Sequence, residues 1–308
     1  QEADMAINKV VLTQDDKYQT TVYTYNTDAA EVKGTVVVLH GMAEHHERYI
    51  PFAGFLNSHG YDVFLYDHRG HGTDKKFEEL GHFADKDGDR LVIADAINVL
   101  RYAKANNRGS KLILFGHSMG SIIARNVIQQ YDEPDKAIIC GTAYMAPAAS
   151  FFGMQVANIV KLTRGARVQS PFLGNLTTGY KDFAKISNRT AFDWLTRDNS
   201  IVGAYINDPY CGFVCSSAFY HDLIRLTYTA ARRSLIKKTR RDLPILLISG
   251  ALDPVGGYGA GVTKLFNLLQ KLGFSETDCT IYEDCRHELL NELNSAAIMN
   301  DILNWIEK

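Results

Sequence analysis

Short, wholly apolar segments recur along the chain and alternate with segments of helical periodicity. The apolar segments are residues 35–39, 63–66, 112–115, 137–140 and 245–248, followed by a weaker one at 279–282. Uninterrupted apolar runs of this length are typical of strands that are buried on both faces of a parallel sheet. We therefore predict that these segments form the strands of such a sheet.

Between and after these segments, apolar side chains recur three or four residues apart, which indicates amphipathic helices. The predicted helices are residues 88–106, 119–130, 260–272 and 295–307. Residues 8–25 alternate instead and are rich in Val, Thr and Tyr, which predicts an antiparallel hairpin. Strands that alternate with helices indicate an α/β fold with a doubly wound, mostly parallel sheet.

The alternation stops between about residues 148 and 242, where helical segments occur without a convincing buried strand. We predict that residues 148–242 form a helical cap, inserted into a core made of residues 1–147 and 243–308. Such an insertion would lie over the carboxyl ends of the strands. Ligands bind at this edge in open α/β sheets.

The predicted cap and core carry opposite charge. Residues 148–242 contain 14 Lys and Arg against 6 Asp and Glu, whereas the rest of the chain contains 19 against 29. Two explanations are open. The basic cluster at residues 232–241 would complement the dipole at a helix end, or the cap would face an anionic lipid or substrate.

Composition removes several other classes of function. The chain of 308 residues has a formal net charge of −2, which gives no argument for nucleic-acid binding. No apolar run approaches the roughly 18 residues needed to span a bilayer. Residues 1–10 lack the basic and apolar segments of a signal peptide, and Met5 is an alternative start.

The five cysteines are an odd number at low density, which favours reduced thiols and a cytoplasmic location. Cys211 and Cys215 are four residues apart, but no second Cys or His pair completes a zinc site. We therefore predict neither a metal nor an organic cofactor.

A nucleophile motif follows one of the predicted strands. Gly116-His117-Ser118-Met119-Gly120 comes directly after the strand at 112–115 and begins a predicted helix. G-x-S-x-G in this context forms a sharp turn that lifts the serine oxygen above the sheet. The helix behind it directs N–H groups at developing negative charge. Ser118 is therefore the predicted nucleophile.

A serine nucleophile needs a general base, and the base needs a group that orients it. In α/β-hydrolase folds the order along the chain is Ser, then Asp or Glu, then His. Asp253 follows the strand at 245–248, and His287 lies in a loop after the last predicted strand. His221 is the other histidine beyond Ser118, but it lies within a helical pattern. We predict Asp253 as the orienting residue and His287 as the base.

The tetrahedral intermediate needs hydrogen-bond donors for its oxyanion. One predicted donor is the backbone N–H of Met119, the residue after the nucleophile. The other is the backbone N–H of Met42, in the loop after the strand at 35–39, where Gly41 allows a close approach. His40, Gly41 and His117 are the candidate substrate-binding residues.

Five sequence blocks occur in a characteristic order. They are His40-Gly41-Met42-Ala43-Glu44-His45 with Arg48-Tyr49, Asp67-His68-Arg69-Gly70-His71-Gly72, Gly116-His117-Ser118-Met119-Gly120, Asp253-Pro254-Val255-Gly256 and Arg286-His287-Glu288-Leu289-Leu290-Asn291-Glu292. Together they resemble the monoacylglycerol lipase and lysophospholipase family of α/β-hydrolases, which is similar to serine aminopeptidases of the S33 group.

The resemblance implies a cap over the site, an apolar acyl channel and hydrolysis of lipid monoesters or related carboxylic esters. It supports the triad and the oxyanion donors named above. We interpret Asp67, Arg69 and His71, together with Glu44, as side chains that brace loops beside the site. Residues 148–242 depart from the family pattern outside two short segments, so the resemblance leaves the substrate open.

We predict a serine carboxylic ester hydrolase that acts on a monoacylglycerol, a lysophospholipid or a similar single-chain lipid, with transient membrane contact through its basic cap. A carboxylesterase for small esters is one alternative. An aminopeptidase is another, although it would need an acidic group near the site. A catalytically inactive receptor is the alternative outside enzymes, but all three triad residues are present.

Overall fold

An eight-stranded sheet organises the chain in the computed structural model, which describes residues 7–308. The strands are β1 (Ile7–Thr13), β2 (Gln19–Tyr25), β3 (Gly34–Leu39), β4 (Tyr61–Tyr66), β5 (Lys111–His117), β6 (Lys136–Cys140), β7 (Ile245–Gly250) and β8 (Thr277–Tyr282). The alternative start at Met5 lies outside the described residues, as do the first six residues of the segment inspected for a signal peptide.

The strand order in the sheet is β1-β2-β4-β3-β5-β6-β7-β8. β1 and β2 form the predicted antiparallel hairpin, and β2 also pairs antiparallel with β4. All pairs from β4 to β8 are parallel. The predicted α/β fold with a mostly parallel, doubly wound sheet is therefore confirmed.

Ten α-helices accompany the sheet in the described part of the chain. They are α1 (Ile50–Ser58), α2 (Gly88–Ala105), α3 (Met119–Val127), α4 (Pro147–Arg164), α5 (Pro171–Thr178), α6 (Asn199–Asn207), α7 (Ser217–Ala231), α8 (Arg233–Ile236), α9 (Ala260–Lys271) and α10 (Ser295–Glu307). Short 3₁₀ helices occupy His46–Tyr49, Phe77–Glu79, Lys181–Lys185 and Leu289–Asn291.

Strands β3 to β7 are largely apolar because helices cover both faces of the sheet there. On one face, residues such as Val37, Leu114 and Leu247 pack against α2, α3 and α9. On the other face, Val36 and Phe115 are among the residues that pack against α1 and α10. Successive strand residues point to opposite faces, so an uninterrupted apolar run is what two buried faces require.

Helix α1 had no counterpart among the predicted helices. Its sequence is apolar on most sides, so it lacks the polar face that makes periodicity visible. Pro51 lies in the first turn, where a missing N–H leaves no helical hydrogen bond unmade. All four predicted helices are present, with ends within a few residues of the predicted ones.

Between β6 and β7 the chain forms five helices, α4 to α8, and among residues 141–244 it adds no strand to the sheet. α7 packs against α4 and also against α3 of the sheet-covering layer. Within residues 7–308, no helix has the length and apolar character that crossing a membrane would require.

The basic cluster at residues 232–241 lies at the amino edge of the sheet. Arg240 donates from Nη1 to the carbonyl of Asp132 at 3.1 Å, just before β6 begins. The segment then leads directly into the start of β7. Since Ser118 follows the carboxyl end of β5, the cluster and the nucleophile lie at opposite edges.

Candidate active site

Ser118 lies at the sharp turn between β5 and α3, at the carboxyl edge of the sheet. β5 ends at His117 and α3 begins at Met119. The backbone of Ser118 has φ 52° and ψ −119°, a conformation that residues other than glycine rarely adopt. Its N–H donates to the carbonyl of Cys140 on the neighbouring strand at 2.9 Å. This bond ties the strained turn to β6.

The two glycines of the motif allow the helix to pack tightly against the strands. A Cβ atom on Gly120 would lie 2.1 Å from the carbonyl oxygen of Leu39, and one on Gly116 would lie 2.5 Å from that of Gly120. Both distances are far below van der Waals contact with backbone atoms that cannot move aside. A larger residue at either position would therefore displace the turn that carries Ser118.

Asp253 and His287 meet at the same edge of the sheet. Asp253 follows β7, His287 follows β8, and the ring Nδ1–H donates to Asp253 Oδ1 at 3.0 Å. Both side chains are completely or almost completely buried. The carboxylate also accepts the N–H of Val255 at 2.8 Å and the hydroxyl of Ser249 at 3.2 Å. Its orientation is therefore fixed from three sides.

Charge pairing and hydrogen bonding together affect the pKa values of Asp253 and His287 more strongly than burial does. Burial by itself would raise the pKa of Asp253, but the His287 ring and the hydrogen bonds to the carboxylate hold that pKa below its ordinary value. Burial would lower the pKa of His287, but the Asp253 carboxylate raises it above its ordinary value. The pair thus favours a carboxylate and an imidazole that readily accepts a proton.

Ser118 and His287 line one cavity of about 670 Å³. The His287 ring is held between the rings of His117, at 4.7 Å, and Trp194, at 5.1 Å. Gly141 lies against its edge, since a Cβ there would be 3.1 Å from Nδ1. Among the hydrogen bonds of the described residues, none joins Ser118 Oγ to the ring. The structure thus brings Asp253 to His287 and places Ser118 in the same cavity without a direct bond.

The loop after β3 presents one free N–H beside Ser118. The N–H of Gly41 donates to the Glu44 carboxylate, and that of Ala43 donates to His71 Nε2 at 3.1 Å. The N–H of Met42, between them, bonds to no acceptor among the described residues, and Met42 lines the cavity.

Met119 supplies the second candidate donor. It is the first residue of α3, so its N–H has no acceptor within the helix. It also lines the cavity. Both predicted oxyanion donors therefore border the cavity that contains Ser118.

The three candidate substrate-binding residues have different surroundings. Gly41 and His117 line the cavity, whereas His40 is buried behind the loop. His40 Nδ1 donates to the carbonyl of Gly41 at 2.7 Å, and Nε2 accepts the N–H of His68 at 3.0 Å. Since both ring nitrogens of His40 are occupied by backbone groups, this geometry favours a bracing position over substrate contact.

The residues interpreted as structural occupy buried hydrogen-bonded positions. Asp67 accepts the N–H of His46 at 2.7 Å and its ring Nδ1–H at 2.6 Å. Arg69 donates to Asp95 from Nε at 2.6 Å and from Nη2 at 2.8 Å. His71 accepts the N–H of Ala43, as described above. This block therefore supports the loop after β3, which carries the predicted oxyanion donor Met42.

Two residues of the site had no role in the sequence analysis, although both lie in the characteristic blocks. Arg48 and Glu288 are 240 residues apart in the chain and form a two-pronged ion pair at 2.7 Å for both bonds. No local pattern signals such a contact. No local pattern signals the contact of Trp194 either; its backbone carbonyl accepts the N–H of His287 at 3.3 Å.

One group of side chains in the described region has the composition of a metal site. Ligand atoms of His45, Asp208 and Cys211 lie within 4.8 Å of one another. His45 Nε2 and Asp208 Oδ2 are already hydrogen bonded at 2.8 Å. Burial raises the pKa of the Cys211 thiol, and thus favours the protonated form that binds metals poorly. The absence of a metal stays a prediction.

Residues of the insertion form much of the apolar wall of the cavity that contains Ser118. Phe152 and Val156 of α4, Phe172 and Leu176 of α5, and Ile224 of α7 all line it. Phe152, Phe172 and Leu176 are also exposed to solvent. They therefore form the rim of the cavity as well as its wall.

Comparison with known proteins agrees with this geometry. The sequence profile of the family described as serine aminopeptidase, S33, matches residues 30–294. A monoacylglycerol lipase of Mycolicibacterium smegmatis is 25% identical over 289 residues, which cover 92% of each chain. The human monoglyceride lipase is 26% identical over 291 residues, which cover 90% of this chain and 83% of that protein.

Solved structures extend the similarity to the whole fold. A thermostable carboxyl esterase from Bacillus coagulans, solved in complex with glycerol, superposes with a TM-score of 0.89 at 25% identity and covers 98% of both chains. The profile match spans far more than half of the sequence. The chain therefore belongs to the serine aminopeptidase S33 family of α/β-hydrolases, within its monoacylglycerol lipase and lysophospholipase group, and it is a serine hydrolase.

Proposed function

We propose that this enzyme hydrolyses carboxylic esters through Ser118, His287 and Asp253. The observation that carries the proposal is the buried hydrogen bond of 3.0 Å between Asp253 and His287, at the edge of the sheet where the strained turn presents Ser118. Asp253 would hold His287 in the tautomer whose Nε2 is free to accept a proton.

The reaction follows from these positions. Nε2 of His287 removes the hydroxyl proton as Ser118 Oγ attacks the ester carbonyl, and the N–H groups of Met42 and Met119 bind the resulting oxyanion. The imidazolium then protonates the leaving alcohol, which leaves an acyl group on Ser118. Water attacks this acyl-enzyme with His287 again as base, and release of the carboxylic acid restores the serine.

The substrates we propose are single-chain lipid esters, such as a monoacylglycerol or a lysophospholipid. The support is the apolar wall that α4, α5 and α7 add to the cavity, since an acyl chain gains free energy by leaving water for such a surface. Two relatives are named for monoacylglycerol or monoglyceride lipase activity. We accordingly propose residues 148–242 as the cap and residues 1–147 and 243–308 as the core.

An aminopeptidase of the same fold is the alternative that the family description raises. Such an enzyme needs a carboxylate that is free to bind the substrate amine. Glu44 and Glu288 line the cavity, but Arg48 pairs with both of them, and Glu44 also accepts the N–H of Gly41. Their occupied oxygens favour ester over peptide substrates.

Hydrolysis of p-nitrophenyl esters from acetate to palmitate, beside 1-monooleoylglycerol, tests this proposal, with Ser118→Ala as the control. We expect turnover to be highest for medium or long chains and to vanish in the variant. Turnover of acetate and butyrate alone would keep the mechanism and replace the lipid by small esters. No turnover of any ester by the unaltered enzyme would overturn the proposal.

We also propose transient contact with an anionic membrane surface, through the exposed face of α4 rather than through the basic cluster at 232–241. Ile159 and Leu162 of α4 are exposed next to Lys161 and Arg164. This face continues from Phe152 at the cavity rim. The combination of apolar and basic side chains suits an interfacial helix.

Binding to vesicles that contain anionic phospholipid checks this contact. Lys161→Ser combined with Arg164→Ser should weaken binding by about five-fold for each charge removed. Lys237→Ser combined with Lys238→Ser is the matched control, because these residues lie in the cluster at the amino edge. Equal losses from both pairs would contradict a contact through α4.

The location we propose is the cytoplasm. Its support is that Cys140, Cys211, Cys215, Cys279 and Cys285 are free thiols, which is typical of a reducing compartment.

A further inference from the structure

Two buried carboxylates, those of Glu44 and Glu288, line the cavity that contains Ser118. Glu44 lies in the loop after β3, and Glu288 lies directly after His287. Arg48 stands between them: it contacts both oxygens of Glu288 at 2.7 Å and also donates to Glu44. All three side chains are largely or wholly buried, so solvent screens these charges weakly.

Each of the two glutamates also forms hydrogen bonds with residues beside the cavity. Glu44 accepts the N–H of Gly41, next to the proposed oxyanion donor Met42. The backbone N–H of Glu288 donates to the carbonyl of Leu195 at 2.7 Å, and its carboxylate accepts from Asn291 Nδ2 at 2.9 Å. Arg48 therefore connects the loop of the oxyanion donor to the loop of the general base.

The cluster of Glu44, Arg48 and Glu288 carries one more negative than positive charge. Two carboxylates share one guanidinium, and Tyr49 donates a hydrogen bond to Glu44 at 2.8 Å without adding charge. After burial and Asp253, the carboxylates of Glu288 and Glu44 are the further influences on the pKa of His287, and both raise it. The cluster thus acts on the base electrostatically as well as by connection.

We propose that Glu288 is a positioning residue for the ester hydrolysis inferred above: through Arg48 it holds the general base at a fixed distance from the oxyanion loop. The inference rests on the proposed function. Glu288 touches no reacting atom. It acts through His287, its neighbour in the chain, and through Arg48, which lies in the 3₁₀ helix that follows the loop of Met42.

Glu288→Gln tests this, because it keeps the shape of the side chain and removes its charge. We expect kcat for a p-nitrophenyl ester to fall by about 10- to 100-fold, as small displacements of catalytic groups do, while KM changes by less than about three-fold. The acid limb of kcat/KM should move to lower pH, because the lost negative charge no longer favours the protonated ring.

The charged and titratable groups that face this ring or its cavity belong to several elements, and none is altered in the variant except Glu288. They are Asp253 after β7, His117 at the end of β5, Glu44 after β3 with Arg48 in the following 3₁₀ helix, Tyr144 after β6, and Tyr180 and Tyr205 of the insertion. A shift of the limb therefore reports the charge at position 288.

Glu292→Gln is the matched control. Glu292 is a buried carboxylate in the same segment, but it pairs with Arg197 at 2.8 Å and not with the oxyanion loop. It should lower the melting temperature without moving the acid limb. In addition, Arg48→Met and Glu288→Gln should not be additive, because both remove the same connection.

An unchanged kcat in Glu288→Gln would overturn the inference. A loss of kcat would also overturn it if the acid limb of kcat/KM did not move and the effects of Glu288→Gln and Arg48→Met were additive. If Glu288→Gln fails to fold, Glu288→Asp decides. This variant keeps the charge and shortens the link, so a lower kcat with an unmoved limb supports the inference, and an unaltered kcat overturns it.

The proposed ester hydrolysis and the positioning role of Glu288 can be tested separately. If the unaltered enzyme hydrolyses no ester, the proposed function fails. The rate at which a fluorophosphonate labels Ser118 then still measures how well the nucleophile and base are positioned. A slower rate in Glu288→Gln than in Glu292→Gln supports the positioning role, and equal rates overturn it.

Discussion

Residues 7–147 and 243–308 bury charged side chains in ion pairs, whereas residues 148–242 leave large apolar side chains in contact with solvent. Arg69 and Asp95 form an ion pair whose two members are both almost completely buried, and the hydrogen-bonded His46 and Asp67 are buried to a similar degree. In the insertion, Phe152 and Leu162 are 72% and 74% exposed. Nine of the fifteen exposed large apolar side chains of the described residues lie in the insertion.

This difference separates two tasks. Buried, fully bonded polar groups have one arrangement, which suits catalytic atoms that must be held within fractions of an ångström. Exposed apolar side chains impose no such arrangement and suit a flexible acyl chain that must enter and leave. The part that we propose to perform the chemistry and the part that we propose to select the substrate therefore differ in physical character as well as in position.

The largest effect should come from a completely buried carboxylate of the core, Asp253. Asp253→Asn should lower kcat by about 10⁴-fold, because the amide stabilises the wrong tautomer of His287 and no imidazolium. Steady-state kinetics on a short ester measure this, with circular dichroism as the check on folding. A loss below ten-fold would show that the Asp253–His287 bond is not the centre of the reaction.

A smaller loss should follow from crowding of the oxyanion loop. In Gly41→Ala the new Cβ would lie 2.5 Å from Glu44 Oε1 and 3.2 Å from Ser118 Cβ. We expect kcat to fall by about 100-fold with little change in KM, because the Met42 donor is displaced. Gly203→Ala is the matched control, since a Cβ there meets nothing within 4 Å. Equal kcat values in both variants would contradict the assignment of this loop.

The insertion should respond differently. Phe152→Ser combined with Phe172→Ser should lower kcat/KM for the palmitate ester by about ten-fold and leave acetate turnover within two-fold. Folding should be unaffected, because both side chains are exposed. Leu293→Ser, at an equally exposed apolar residue away from the cavity, is the control. Equal losses of kcat/KM for the acetate and palmitate esters would contradict the proposal that the insertion selects the acyl chain.

The smallest effect concerns stability and belongs to the core. Burial lowers the pKa values of His40 and His68, and lowers that of His71 to about 3. A lowered folded-state pKa means that stability is complete above the unfolded value of about 6.5 and decreases as pH falls below it. For His71 the free energy of unfolding should drop by about 1 kcal/mol over the first pH unit, and His40 and His68 should add changes of the same sign.

Urea unfolding at pH 7 and pH 5.5 measures this drop. In His71→Gln the drop should be smaller, since one buried histidine no longer titrates. His221→Gln, in the insertion, should leave it unchanged. A drop of the same size in all three proteins would place the responsible groups elsewhere.

The same division explains how much could be inferred from the sequence. The strands, the turn at Ser118 and the order of Asp253 and His287 have local signals, and the fold they predicted is confirmed. Contacts that form between loops distant in sequence leave no such signal, as for Arg48 and Glu288.

The insertion was less predictable for a related reason. Its aromatic residues look alike in sequence, yet Phe219 is fully buried and Phe152 is mostly exposed. Which side of a helix is covered depends on how α4, α5 and α7 pack on one another. Periodicity alone does not specify this for helices that are apolar on several sides.

The contact between the tilted rings of Trp194 and His287 has an optical consequence. The chain contains two tryptophans, and the other, Trp305, lies in α10 with its Nε1–H bonded to Asp278. A protonated imidazole whose ring centre lies 5.1 Å from that of an indole interacts electrostatically with the indole π system and quenches its emission. In a Trp305→Phe background, the fluorescence of the remaining indole would therefore follow, in real time, the proton that His287 gains and gives up.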